Sequence, residues 1–281
     1  MKKVGLVLQG GGMRVLYTAG VLDTFLEEGI EVDGAVGVSA GALFGLDYFS
    51  KQKGRTIRYT KKYATDKRYM GLGSFFRTGN IINKDFAYYE VPFKLDIFDV
   101  DSFEKARKDF YVAITNVDTG KAEYVNITKP LEQMEVLRAT SAMPFVSRMV
   151  DIDGGKYLDG GICDNIPIDK CLTLGFDKII VILTRPIDYR KKKTYQFLTR
   201  LRYLKHPKLA KAINTKHLNY NDTIEKIIDM KNKKEIFVIA PGPTFKFRRV
   251  EKRKEKLQEA YDLGVNDCKK IVNDLKQFLT E

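Results

Sequence analysis

The stretch KVGLVLQGGGMRVLYTAGVLDTFLEEGIEVDGAVGVSAGALFGL, Lys3–Leu46, carries one pattern twice: a short apolar run, a glycine turn, then a helix. The run Lys3–Gln9 closes on three glycines and reads as a buried strand. Val15, Leu16, Ala19, Leu22, Phe25 and Leu26 follow at helical spacing, and Gly29 stands where a helix stops. IEVDGAVGVS gives a second buried strand and AGALFGLDYFSKQ a second helix. Two strand–helix units in succession predict a parallel sheet joined by right-handed crossovers.

The rest of the chain continues that architecture. Residues 51–107 read as short helices and loops, and DFYVAITNVDTGKAEYVNI as a hairpin around Asp118-Thr119-Gly120-Lys121. LEQMEVLRATSA predicts a short helix, DKIIVILTRP and KEIFVIAP two more strands, and 188–234 broken helix. Leu257, Tyr261, Val265, Cys268, Val272, Leu275 and Leu279 mark one face of a long final helix. No repeat or linker interrupts the 281 residues, so one α/β domain over 1–281 is expected, with a basic, less assignable segment over about 186–250.

Composition narrows the function. Cys163, Cys171 and Cys268 are too few and too scattered for a disulfide framework or a zinc site, and read as small buried apolar residues. The apolar run behind Lys2 and Lys3 is too short for a signal peptide, and no stretch approaches a membrane span. A cytoplasmic protein is expected. The 49 basic against 36 acidic residues give +13, and the excess is clustered. Arg185–Lys216 holds eleven bases and one acid, and Lys51–Arg68 eight bases and one acid. Such clusters suit an anionic surface.

Gly37-Val38-Ser39-Ala40-Gly41 lies where the second strand meets its helix. That is the context a Gly-x-Ser-x-Gly nucleophile elbow requires, with Gly37 and Gly41 relieving the crowding of a sharp turn around Ser39. Gly10-Gly11-Gly12-Met13-Arg14 occupies the equivalent point of the first unit. Its backbone N–H groups suit either an oxyanion hole or a phosphate cradle. Val15 stands where a dinucleotide fingerprint wants glycine or alanine, and no acid closes the second strand, so the oxyanion hole is favoured. Arg14 either braces this loop or meets substrate phosphate.

Val150–Pro167, VDIDGGKYLDGGICDNIP, contains Asp-Gly-Gly twice. Asp153 sits between two short alternating runs and reads as a hairpin turn. Asp159 ends the second run and opens a loop through Gly160 and Gly161, a strand-end position suited to chemistry. Asp164 is expected to face solvent or cap the loop. His206 and His217, the two histidines, fall in the basic stretch and read as exposed. The candidate is therefore a Ser39–Asp159 dyad without histidine. An apolar, partly dry site would raise the carboxyl's pKa and make it a better base.

Taken together, Gly-Gly-Gly-x-Arg, Gly-x-Ser-x-Gly and the late Asp-Gly-Gly resemble the patatin-like phospholipase family, in its compact bacterial form. DGGICDNIP, RATSAMP and YDLGVNDCKK are also similar to family segments, and many members carry glycine where Val15 stands. The resemblance covers about 3–50 and 110–185. It implies a three-layer α/β/α fold with a mainly parallel central sheet, Ser39 as nucleophile, Asp159 as base, and Gly11 and Gly12 N–H groups as the oxyanion hole beside Arg14. It further implies hydrolysis of lipid acyl esters, as in a phospholipase or carboxylesterase, with no metal or other cofactor. Acyl transfer on the same dyad and a silent anionic-lipid-binding protein are the alternatives.

The expected partner is a lipid ester. TYQFLTRLRYLKHPKLAKAI sets Phe197, Leu198, Leu201, Tyr203 and Leu204 among Arg200, Arg202 and Lys205, a pattern suited either to docking on an anionic membrane or to packing on the core. No nucleic-acid module is recognisable, so nucleic acid is not an expected partner.

Overall fold

The computed structural model describes residues 2–193 and 196–281. β1 (Val4–Leu8) leads through a 3-10 turn (Gly12–Val15) into α1 (Leu16–Glu27), and β2 (Gly34–Val38) into α2 (Ala40–Phe49). α3 (Arg55–Tyr63), α4 (Leu72–Thr78), a π-helical segment (Asp85–Leu95) and α5 (Val100–Ala106) fill the excursion read as short helices and loops. The hairpin β3 (Asp109–Asn116) and β4 (Ala122–Asn126), the short α6 (Met134–Thr140), and the hairpin β5 (Val150–Ile152) and β6 (Gly155–Asp159) follow. The chain then runs through α7 (Ile168–Leu172), β7 (Lys178–Ile182), α8 (Gln196–Arg202), α9 (Pro207–Asn232), β8 (Ile236–Ile239) and α10 (Lys254–Thr280).

The strands form one sheet in the order β5-β6-β3-β2-β1-β7-β8, with β4 also paired to β3. β3, β2, β1, β7 and β8 run parallel, while β4, β6 and β5 add antiparallel pairings at one end. Side chains alternate between the two faces, as strand geometry requires. Leu6, Leu8, Ala35, Ile180 and Ile182 join one core with Leu22 and Phe25 of α1 and Leu275 of α10. Val7, Val36, Ile179 and Val181 join the opposite core with Ile168 of α7 and Ile224 and Ile227 of α9. The result is a mixed α/β fold with helices on both faces of a mainly parallel sheet.

The final helix is turned relative to the face drawn from its large apolar residues. Its fully buried positions are Leu257, Ala260, Gly264, Cys268, Leu275 and Phe278, while Tyr261, Val265, Val272 and Leu279 are only partly covered. Gly264 lies against the Tyr17 backbone of α1, and Gly20 of α1 against the Tyr261 backbone. Small residues, which carry little weight in an apolar pattern, set the contact face.

The basic stretch is helical in pieces, as its sequence suggests. Thr194 and Tyr195 lie outside the described residues, α8 ends at Arg202, and α9 begins at Pro207. Proline at a helix start has no N–H to lose, and it disfavours helix in the residue before it. Phe197, Leu198, Leu201 and Leu204 are exposed, but Tyr203 is buried, its ring packed on Phe145 and its hydroxyl accepting the Phe145 N–H. His206 and His217 are half-buried rather than exposed: His206 precedes α9 beside Asp118, and His217 lies within it. Among the described residues no helix is long and apolar enough to cross a membrane.

Candidate active site

Sheet register brings the distant motifs together. β1 and β2 are neighbours with Leu8 opposite Gly37, so the loops leaving them lie side by side. β2 pairs with β3 at Val38 and Ala113, and β3 pairs with β6 at Ile114 and Asp159. Asp159, 120 residues from Ser39 in sequence, is thereby set at the rim where β2 ends.

Ser39 occupies the turn between β2 and α2 with φ 55° and ψ −133°, a conformation an L-residue enters only under constraint. The crowding expected at this elbow is present. A Cβ on Gly37 would lie 2.8 Å from Ala42 Cα, and one on Gly41 2.6 Å from Gln9 O. The turn is held from outside by a residue that no sequence pattern marked. Thr140, fully buried at the end of α6, accepts the Ser39 N–H at 2.8 Å and donates to Ala113 O at 2.6 Å. It falls within RATSAMP, the one hint available in the sequence.

The Ser39 hydroxyl donates to Asp159 Oδ2 at 3.0 Å. The other carboxylate oxygen accepts the Gly161 N–H at 2.7 Å. The Asp159 backbone is fixed on both sides, its N–H donating to Ala142 O at 2.9 Å and its carbonyl accepting Thr115 Oγ1 at 2.9 Å. Burial pushes the Asp159 pKa up, opposed by the Gly161 N–H, the charge of Arg249, the Ser39 hydroxyl and Lys216. A carboxylate so placed can take the serine's proton more readily than one in water. Asp153 is elsewhere, with φ 48° at the tip of the β5–β6 hairpin. Asp164 caps the loop, half-buried, accepting from Tyr124 Oη at 2.6 Å and from the Ile166 N–H at 3.2 Å.

The glycine loop contributes less uniformly than its sequence suggests. Gly10 N–H donates to Asn165 O at 3.2 Å and Met13 N–H to Arg249 O at 2.9 Å, so neither is available as an oxyanion donor. Among the described residues Gly11 and Gly12 N–H have no protein acceptor. Gly12 has φ +58°, and a Cβ there would lie 2.6 Å from Arg249 O, so the turn admits only glycine. A buried amide steadies the loop from below: Gln9 Oε1 accepts Thr184 N–H and Oγ1, and Thr184 Oγ1 reaches Gly10 O at 3.2 Å. Arg14 is buried, 6% exposed, and its burial, followed by the charges of Arg185 and Arg249, lowers its pKa.

The cavity at this centre is lined by Gly10, Gly11, Gly12, Ser39, Asp159, Gly161 and Asn165. It is also lined by Lys191, Lys216 and Arg249. The three cations come from the segment that motif reading could not assign, and nothing local distinguishes them among its many bases. Neither histidine lines the cavity.

Residues 6–172 match the family model for patatin-like phospholipase, and residues 206–280 that of a domain of unknown function, DUF6363. The uncharacterized protein YjjU of Escherichia coli K12 is 31% identical over 293 aligned residues, covering 99% of this chain and 80% of that protein. Lysophospholipase nte1 of Aspergillus niger is 28% identical over 200 residues, 69% of this chain but only 12% of the fungal protein's length. Among solved structures, VipD from Legionella pneumophila aligns over 97% of this chain and 67% of that one, with TM-score 0.47 and 13% identity. With one family model spanning more than half of it and a relative matched along nearly all of it, the chain belongs to the patatin-like phospholipase family.

Proposed function

We propose that the protein is a serine acyl hydrolase that cleaves fatty-acyl esters of lipids, with Ser39 as nucleophile and Asp159 as general base. The observation that carries this is the 3.0 Å hydrogen bond from Ser39 Oγ to a buried carboxylate, made from a strained elbow. The family and the lysophospholipase relatives support the lipid ester as substrate class.

Ser39 Oγ attacks the ester carbonyl while its proton passes to Asp159 Oδ2. The Gly11 and Gly12 N–H groups take the oxyanion, where one such donor is worth roughly 3–4 kcal/mol of barrier. The C–O bond to the alcohol breaks, the alcohol leaves with the proton, and the acyl group stays on Ser39. Water then attacks the acyl-enzyme. Asp159 receives the water's proton, and the fatty acid departs as Ser39 Oγ regains its hydrogen. The positive end of α2 beneath Ser39 favours the negative charge of both tetrahedral species.

Two further parts belong to the proposal. Residues 1–281 act as one hydrolase domain, supported by β8 extending the sheet and α10 covering α1. Exposed Phe197, Leu198, Leu201 and Leu204 beside Arg200 and Arg202 dock the enzyme on anionic membrane. Sedimentation with anionic vesicles should fall with added salt, and binding indifferent to lipid charge would remove the docking part.

The test of the central reading is fluorophosphonate labelling and lysophospholipid hydrolysis by wild type, Ser39→Ala, Asp159→Asn and Asp153→Asn. Loss in the first two variants alone is expected. Equal labelling of Ser39→Ala, or full activity in folded Asp159→Asn, would overturn it.

A further inference from the structure

Resting on the reading of a lipid acyl hydrolase, we propose that Lys191, Lys216 and Arg249 form an anion subsite. It receives the phosphate of the substrate's headgroup, so that phosphate-bearing acyl lipids are preferred to neutral acylglycerols.

The three cations line the same cavity as Ser39, and among the described residues none of them has a carboxylate partner within ion-pair distance. Arg190, next to Lys191, pairs with Glu225, and Lys226 of α9 pairs with Asp169. Lys191 instead stands over the Tyr220 ring at 4.1 Å, and Arg249 Nη1 rests 3.8 Å from Met143 Sδ. The acid whose charge reaches Lys191 and Lys216 is Asp159, already engaged by Ser39 and the Gly161 N–H. Beneath them Arg14 is buried with its Nε unpartnered. Among the described residues the cavity lining therefore sets three cations against the one carboxylate of Asp159.

The backbone that carries each cation is anchored. The Lys191 N–H donates to Asn221 Oδ1 at 2.8 Å and its carbonyl accepts Asn221 Nδ2 at 3.1 Å, fastening this segment to α9. The Arg249 carbonyl accepts the Met13 N–H, tying that cation's backbone to the glycine loop. Lys216 lies within α9. Gathering these charges has a cost that is visible in the molecule: burial, then Lys216, Arg249 and Arg14, push Lys191 down to about 7. An anion with several oxygens removes that cost, and a phosphate accepts from all three donors at once, which a lone ester carbonyl cannot. In a glycerophospholipid the phosphate lies a few bonds from the ester, so one molecule can reach both the glycine loop and the cations.

The test uses the full chain in neutral-detergent micelles carrying either a 1-acylglycerol 3-phosphate or the 1-acylglycerol with the same acyl chain. The phosphate lipid should have at least about tenfold higher kcat/KM, the scale of one charge-assisted hydrogen bond. Lys191→Met with Lys216→Met should bring that ratio close to one, and raising pH through 7 should erode it in the wild type. Binding of the same two lipids to Ser39→Ala, with and without the two lysine changes, reads the subsite without catalysis. Equal turnover of both lipids by an enzyme that still labels at Ser39 would overturn the subsite and leave the hydrolase reading intact. No labelling and no turnover would sink the hydrolase reading, and equal binding of the two lipids to Ser39→Ala would then overturn the subsite separately. Competition by inorganic phosphate, with the lipid preference unchanged in the lysine variants, would give the cluster to free phosphate and also overturn the assignment.

Discussion

Thr140→Val tests whether the elbow is held by hydrogen bonding or only by packing. Valine has the volume of threonine, so no cavity forms, but the hydroxyl that bridges Ser39 N–H and Ala113 O is lost. Both backbone groups are buried, and each orphaned group costs roughly 1–3 kcal/mol. Taking the lower part of that range, the folded state should lose about 2–4 kcal/mol, which lowers Tm by something on the order of 5–10 °C. Thr140→Ser keeps both hydrogen bonds and deletes one methyl, worth about 1 kcal/mol. Packing alone ranks serine as the worse substitution, whereas the hydrogen-bond bridge ranks valine as the worse. Activity gives a second readout. Freed from Thr140, Ser39 relaxes from its strained φ and turns its hydroxyl away from Asp159. In Thr140→Val, kcat on a lipid ester should therefore drop at least about tenfold, equivalent to about 1.4 kcal/mol of barrier, while KM changes little. Thermal melts and steady-state kinetics on the three proteins suffice. A valine variant as stable and active as wild type, with serine the worse of the two, would refute the bridge.

Other outcomes follow from the same geometry. Asp159 must be ionised to take the serine proton, and burial raises its pKa, so kcat should fall on acidification at a higher pH than an exposed aspartate would dictate. Arg249→Met removes a charge that opposes this rise and should move the acid limb of the kcat–pH profile further up. Asp159→Asn should be inactive yet more stable than wild type at neutral pH, because a carboxyl with a raised folded pKa weakens the fold wherever it is ionised. That gain should vanish as pH falls below the ordinary carboxylate range, which denaturant titrations at two pH values will show. Gly264→Ala puts a methyl against the Tyr17 backbone and should cost roughly 1–3 kcal/mol by thermal melt, despite the better helix propensity of alanine.

What was legible in the chain was whatever short-range chemistry encodes. Ser39 and the glycine loop announce themselves because a strained strand-to-helix turn needs particular residues within a few positions. Asp159 could be told from Asp153 because one ends a strand and the other fills a hairpin turn. Thr140 could not be found this way, since a threonine at the end of a helix becomes a bridge only through the register of β2 and β3. Lys191, Lys216 and Arg249 were hidden for a related reason: a lysine in a run of lysines carries no sign of which way it will face. Whether Tyr203 faces the core or solvent was not legible, because its neighbours share its amphipathic spacing. Pro207, four residues on, marks where the second helical piece of this basic stretch begins.

The pairing of β7 with β8 bears on how this family of chains can be cut. The patatin-like match ends at residue 172 and the DUF6363 match begins at 206, which invites expressing the two apart. Without β8, the strand Lys178–Ile182 would become a bare sheet edge in which Ile179, Ile180, Val181 and Ile182 are now buried, and Gly20 on α1 would face water. An apolar strand with an unpaired ladder recruits strands from other copies of itself. A chain that ends between β7 and β8 is therefore expected to self-associate. The segment that DUF6363 matches thus covers, through β8, a sheet edge that the patatin-like part would otherwise leave open.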